Sequence, residues 1–91
     1  MTALRRTMPI VNQRGLHARA SRKLAELALA YEATIRVRRE DDEADATSLM
    51  DLMMLGAGLG SEIEVIVEGP QALEAMEAIT RLVADKFGEG D

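Results

Sequence analysis

The chain is expected to fold as an α+β domain in which a four-stranded antiparallel sheet carries three helices on one face. Three observations carry that expectation. Residues 33–39 and 62–68 alternate apolar with charged side chains, as strands with one buried and one wet face do. Residues 18–29, and the run that follows Gly69-Pro70, repeat Leu, Ile, Met and Ala at helical spacing. The patterns interleave in the order βα-ββα-βα, without an internal repeat or a linker. Strands that must cover one face and helices that must cover one stripe then satisfy each other in two layers.

Taken in order, residues 4–11 read as the first strand, with Pro9 marking an edge position or an irregularity. Gly15 gives the backbone freedom where that strand hands over to the first helix. The helix spans Ala18–Leu29, with Leu24, Leu27 and Ala28 on its apolar stripe and Ala20 or Ser21 a turn earlier. Arg22, Lys23 and Glu26 lie away from that stripe. After the strand at 33–39, Glu40-Asp41-Asp42-Glu43 reads as a solvated acidic turn, since it lacks the spaced Asp and Gly pattern of a calcium loop. A short strand over residues 44–47 is signalled only weakly. Ser48, followed three residues later by Asp51, resembles a capping box and opens a short helix that runs to Met54.

The glycines at 56, 58 and 60 end that helix, and their spacing is not that of a dinucleotide fingerprint. Residues 62–68 form the clearest strand, β-branched side chains alternating with acids. Pro70 is placed at or near the first turn of the last helix. Leu73, Met76, Ile79, Leu82 or Val83, and Phe87 give that helix its core stripe, and Gly88 stops it.

Ninety-one residues are enough for one domain with a modest core, and 47% apolar content is that of a packed globule rather than a disordered tail. The absence of cysteine excludes a disulfide framework and thiolate chemistry. No apolar run reaches bilayer length and no signal-peptide segment opens the chain, so a cytoplasmic location is expected. A net charge of −5 argues against a general nucleic-acid binder. The charge is uneven, however. Nine of the eleven basic residues lie at or before Arg39, where Glu26 and Glu32 are the only acids. The neighbourhood of residue 17 is thus locally positive on an acidic protein, which suits a phosphate group and can steer an acidic partner.

The one histidine, His17, falls at the start of the first helix, beside unpaired N–H groups and the positive end of the helix dipole. A neutral imidazole nitrogen at such an anion site can accept a phosphoryl group and have its charge held afterwards. Arg19 adds a fork of donors matched to phosphate oxygens. On composition alone, a lone histidine at a helix start is more often a plain surface side chain or a weak cap. A metal centre is not expected, because no second His and no Cys can complete one.

The motif shifts that balance. Gly15-Leu16-His17-Ala18-Arg19, opening a helix early in a chain of this size, resembles the signature of the HPr/NPr family of histidine-containing phosphocarriers. Those proteins belong to the phosphoenolpyruvate:sugar phosphotransferase system. Ser48-Leu49-Met50-Asp51-Leu52-Met53-Met54-Leu55-Gly56, followed by Gly60-Ser61-Glu62-Ile63, is similar to that family's second signature.

The resemblance implies an open-faced β-sandwich. It also implies that His17 takes a phosphoryl group on Nδ1 from phosphorylated enzyme I and passes it to a IIA-type acceptor, with Arg19 positioning the phosphate. The chain would then be a carrier, not an enzyme, with no cofactor, and a monomer is expected. Leu49, Met50 and Met53 match the family's docking patch, and a six-residue helix with so many apolar side chains cannot bury them all on one stripe. Ser48 is expected to cap its helix, and it matches the serine that HPr kinase/phosphorylase modifies in some bacterial groups. One departure stands out. The family usually has proline where this chain has Ala20, which gives up a preset backbone angle and regains an N–H. Sugar and nitrogen branches of the system stay open. So do two other classes: a regulatory interaction module controlled by phosphorylation at Ser48, and a small-ligand-binding regulatory domain, for which no pocket is signalled.

Overall fold

The computed structural model describes residues 3–89. Its elements are β1 (Leu4–Pro9), α1 (Ala18–Leu29), β2 (Thr34–Arg39), β3 (Asp42–Asp45), α2 (Leu49–Met54), β4 (Glu62–Glu68) and α3 (Ala72–Ala84), followed by a tight turn at Lys86–Gly88. The strands form one antiparallel sheet in the order β1-β4-β2-β3, and all three helices pack on the same face. The expected α+β open-faced sandwich is the observed one.

Alternation sets the layers. Ile63, Val65 and Val67 of β4 and Ile35 and Val37 of β2 point under the helices, and each is almost fully buried. Leu24 and Ala28 of α1, Met76, Ile79 and Val83 of α3, and Leu52 of α2 close over them. Arg5, Thr7, Arg36, Arg38 and Glu64 fall on the opposite, open face by the same register. There Arg5 Nη1 lies 3.4 Å from Glu64 Oε1, and Arg36 pairs with Glu43. Such exposed pairs contribute at most about 1 kcal/mol each, so the buried face carries the stability. The outer strand β1 is the exception in the alternation. Arg6 occupies a helix-side register position and reaches over α3 to donate to Thr80 Oγ1 at 2.8 Å, covering an edge with a long side chain.

Four details depart from expectation. The acidic turn is only two residues, Glu40 and Asp41, and β3 begins at Asp42 and ends at Asp45, ahead of residues 44–47. Charge pairing explains the shift: Asp42, Glu43 and Asp45 stand opposite Arg39, Arg38 and Arg36 in the ladder. β1 ends at Pro9, two residues short of the strand end read at residue 11. Leu73 is 58% exposed; at about 100° per residue it sits about 120° round the helix from Ile79, the centre of the buried stripe. Phe87 is fully buried but lies beyond α3, in the turn where Lys86, Phe87 and Gly88 take φ of 56°, 55° and 74°. Two non-glycine residues in the left-handed region cost about 1–2 kcal/mol each. Burying a phenylalanine side chain returns about 1.5–3 kcal/mol, so the aromatic anchor offsets much of that cost.

Candidate functional site

The loop from residue 12 to residue 16 is built to aim the first turn of α1. Gly15 adopts φ 65°, and a Cβ there would lie 2.3 Å from the Ala57 carbonyl oxygen. No other residue fits. The close approach lets Leu16 N–H donate to that same carbonyl at 2.8 Å. The loop after α2 is thereby fastened to the loop before His17. Asn12, fully buried, donates from Nδ2 to Gly15 O at 2.8 Å, which closes the loop from inside.

His17 is the N-cap of α1, with extended backbone angles of φ −77° and ψ −176°. Its carbonyl accepts the Ser21 N–H at 2.9 Å, the first helical bond. Its ring nitrogen Nδ1 accepts the backbone N–H of Arg19 at 3.2 Å, taking the place that a Ser or Asp oxygen fills at most caps. Accepting at Nδ1 requires a lone pair there, so the proton of the neutral ring resides on Nε2. Nε2 lies 2.5 Å from Oε2 of Glu89, and Oε1 of the same carboxylate accepts from Asn12 Nδ2 at 3.1 Å. The side chains of His17 and Glu89 are 25% and 11% exposed, so water screens this contact only partly.

Around the ring, Gln13, Arg14, Arg19, Lys23, Gly88 and Glu89 line an open cleft of about 420 Å³. Arg19 is exposed, and its guanidinium makes no hydrogen bond to a described residue. Lys23 Nζ donates to Phe87 O at 2.6 Å, tying α1 to the turn that carries Glu89. A nucleophilic nitrogen at a helix N-terminus, ringed by three cations and backed by a carboxylate on its far nitrogen, is equipped for anion chemistry.

The second constellation lies on α2. Ser48 caps it, Oγ accepting the Asp51 N–H at 3.2 Å. The reciprocal half of a capping box is absent, because Ser48 N–H donates to Asp45 O at 2.9 Å instead. Asp45 also accepts from Thr47 N and Oγ1, at 2.9 and 2.7 Å. Those two bonds, backbone first, and the nearby Arg36 hold its carboxyl below the usual range. Leu52 and Leu55 go inward, while Leu49, Met50 and Met53 are exposed by 37%, 68% and 41%, with Met54 and Leu59 beside them in sequence and also exposed. The structure thus brings His17 and Arg19 together, and links α2 to them through the Ala57–Leu16 bond.

Asn12 and Glu89 were not foreseen as site residues. Asn12 belongs to the motif loop, and a buried amide beside a required glycine is a local signal that could have found it. Glu89 meets His17 across 72 residues of sequence, and nothing near it in the chain announces the contact.

Fold and site together define a small single-sheet protein with a histidine capping a helix N-terminus in a cationic cleft. The chain belongs to the PTS HPr family: residues 4–85 match the model described as "PTS HPr component phosphorylation site". It is 44% identical to the phosphocarrier protein HPr of Cupriavidus necator over 88 residues, covering 97% of this chain and 99% of that one. It is 43% identical to the phosphocarrier protein NPr of Shewanella violacea over 89 residues, covering 98% of each. The crystal structure of HPr-C-His from Thermoanaerobacter tengcongensis superposes with a TM-score of 0.91 at 32% identity, covering 94% of this chain and 97% of that one. Membership makes the protein a phosphocarrier of the phosphotransferase system. No helix among the described residues is long and apolar enough to cross a membrane.

Proposed function

We propose that His17 is the phosphoryl acceptor, taking the group on Nδ1 from phosphorylated enzyme I and delivering it to a IIA-type protein in the cytoplasm. The observation that carries this reading is the position of Nδ1 at the N-cap of α1, 3.2 Å from the Arg19 N–H. A phosphoryl group arriving at Nδ1 takes over that donor, so the helix end satisfies the lone pair before transfer and a phosphoryl oxygen after it. Arg19 has no competing partner among the described residues and can turn its fork onto the group. It balances charge and positions the phosphate; it is neither acid nor base. The protein relays the group and turns over nothing itself.

Leu49, Met50 and Met53 form the apolar surface on which partners dock, and methionines that repack suit a carrier that meets more than one partner. A phosphate on Ser48, placed by HPr kinase/phosphorylase, would put charge beside that surface and oppose docking. The exposed methionines next to the Ser48 cap support this layer of control.

Incubation with phosphoenolpyruvate and enzyme I should add one phosphoryl mass, stable in base and labile in acid. His17→Ala should fold normally and take up none. A phosphoryl mass that persists on that variant would remove His17 from the role, and transfer at the wild-type rate in Arg19→Ala would remove Arg19.

A further inference from the structure

Resting on that carrier reading, we propose that Glu89 is a positioning residue that holds the Nε2 proton of His17 through the whole transfer cycle, and that the left-handed turn at Lys86–Gly88 serves to deliver it. Glu89 lies outside residues 4–85, which the family model matches, while its partners His17 and Asn12 lie within them.

The geometry is over-determined for a chance surface pair. Glu89 Oε2 lies 2.5 Å from Nε2, while Oε1 is held by Asn12 Nδ2 at 3.1 Å. Asn12 is fully buried and leaves its own Oδ1 without a partner. A buried orphan acceptor is costly, and what the amide gains in exchange is two donor contacts, to Gly15 O and to Glu89. Both partners accept, which sets the amide's orientation. The turn is fixed from the other side by Phe87 in the core and by Lys23 on the Phe87 carbonyl. Lys86 and Phe87, two consecutive non-glycine residues in the left-handed region, are strained, and the result of that strain is a carboxylate aimed at the ring.

The chemistry follows the logic by which a carboxylate orients a histidine. Before transfer, the Glu89 carboxylate accepts Nε2–H and leaves the Nδ1 lone pair toward the incoming phosphorus. The lone pair forms the N–P bond as the donor's bond to phosphorus breaks and the donor atom leaves with that pair. The His17 ring then carries the phosphoryl group on Nδ1 and its proton on Nε2, one positive charge opposite the Glu89 carboxylate. In onward transfer the N–P bond returns its pair to Nδ1, and the neutral ring is restored with its proton in place. The ring exchanges no proton with solvent in either half. A phosphorylated ring that keeps its Nε2 proton releases phosphoryl more readily, because the leaving group is neutral imidazole.

The single histidine makes the test direct, since imidazole nitrogen signals need no assignment. Protein labelled with 15N-histidine should show one tautomer in wild type at a pH where the ring is neutral, with Nε2 protonated and Nδ1 bare. Glu89→Gln should keep that tautomer, because the amide oxygen still accepts. Glu89→Ala should keep Nδ1 bare, because the Arg19 N–H still donates to it, but its Nε2–H signal should lose the downfield shift of a charge-assisted hydrogen bond and exchange with water faster. Both variants should melt as wild type does. In the phosphorylated state both lack the counter-charge, so spontaneous loss of the phosphoryl group should slow by about tenfold, the scale of one charge-assisted hydrogen bond. A wild-type Nε2–H shift and exchange rate in Glu89→Ala, or an unchanged phosphoryl lifetime in both variants, would overturn the proposal. If wild type accepted no phosphoryl group at all, the carrier reading and the transfer role of Glu89 would fall together. The imidazole spectrum would still report whether Glu89 holds the ring.

Discussion

At the scale of single residues, the site depends on positions where one atom more would not fit. Gly15 is the sharpest of them. A methyl group there meets Ala57 O at 2.3 Å and Gly58 Cα at 2.7 Å, both backbone, so no side chain can swing away. The left-handed φ alone costs an alanine about 1–2 kcal/mol, and relieving the clash must break or stretch the Leu16–Ala57 bond. Gly15→Ala should therefore lose more than about 2 kcal/mol of unfolding free energy, read from denaturant melts. It should also slow phosphoryl acceptance beyond what its folded fraction explains, because the same shift moves the His17 cap. A variant with wild-type stability would show that the 15–57 contact is looser than described.

At the scale of elements, legibility followed how local each signal was. The bounds of α1 and β4 are those read from the sequence, since the periodicity lies within each element and Gly15, Gly60 and Gly69 stand just outside them. The strand β3 was misplaced because its acids look like a solvated turn until the arginines of β2 stand opposite them. Phe87 was assigned to α3 because its spacing continues the stripe; only burial against the rest of the core reveals that the helix has already ended. In the site, His17 and Arg19 were legible from five consecutive residues. Glu89 was not, because its meaning depends on a turn that no local pattern encodes.

The turn between β3 and α2 yields a pH prediction at the same scale. The Asp45 carboxyl is depressed below its ordinary value of 3.8, by Thr47 N–H and hydroxyl first and by Arg36 after desolvation is counted. A depressed carboxylate stabilises the fold above the ordinary value, and that contribution is lost as pH falls through the folded-state value. Asp45→Asn keeps an acceptor for Thr47 but not the charge. It should be less stable than wild type at neutral pH, with the gap closing as pH is lowered through and below 3.8. Parallel melts across pH 2–7 read this out, and a gap that stayed constant would assign the loss to something other than ionisation.

Across the whole molecule, the two constellations belong to one working surface only if a partner covers both at once. The tie between them is a backbone hydrogen bond: in the loop before α1, Leu16 N–H donates to Ala57 O in the loop that follows α2. Arg14, Arg19 and Lys23 make the His17 cleft cationic on a chain of net charge −5, while Leu49, Met50 and Met53 supply apolar area. Ser48→Asp tests the coupling. An acid at the N-cap of α2 is favoured by the helix end by about 0.3–1 kcal/mol, so melting should match wild type or rise slightly. Docking is another matter, because a partner that covers the methionines must also strip water from the new charge, and an unpaired buried charge is expensive. Enzyme I titrated against both proteins should bind the variant more weakly, and phosphoryl acceptance should slow through affinity while the rate at saturating enzyme I stays near wild type. Equal affinities would leave Ser48 as a helix cap alone and would separate the methionine surface from the histidine it is proposed to serve.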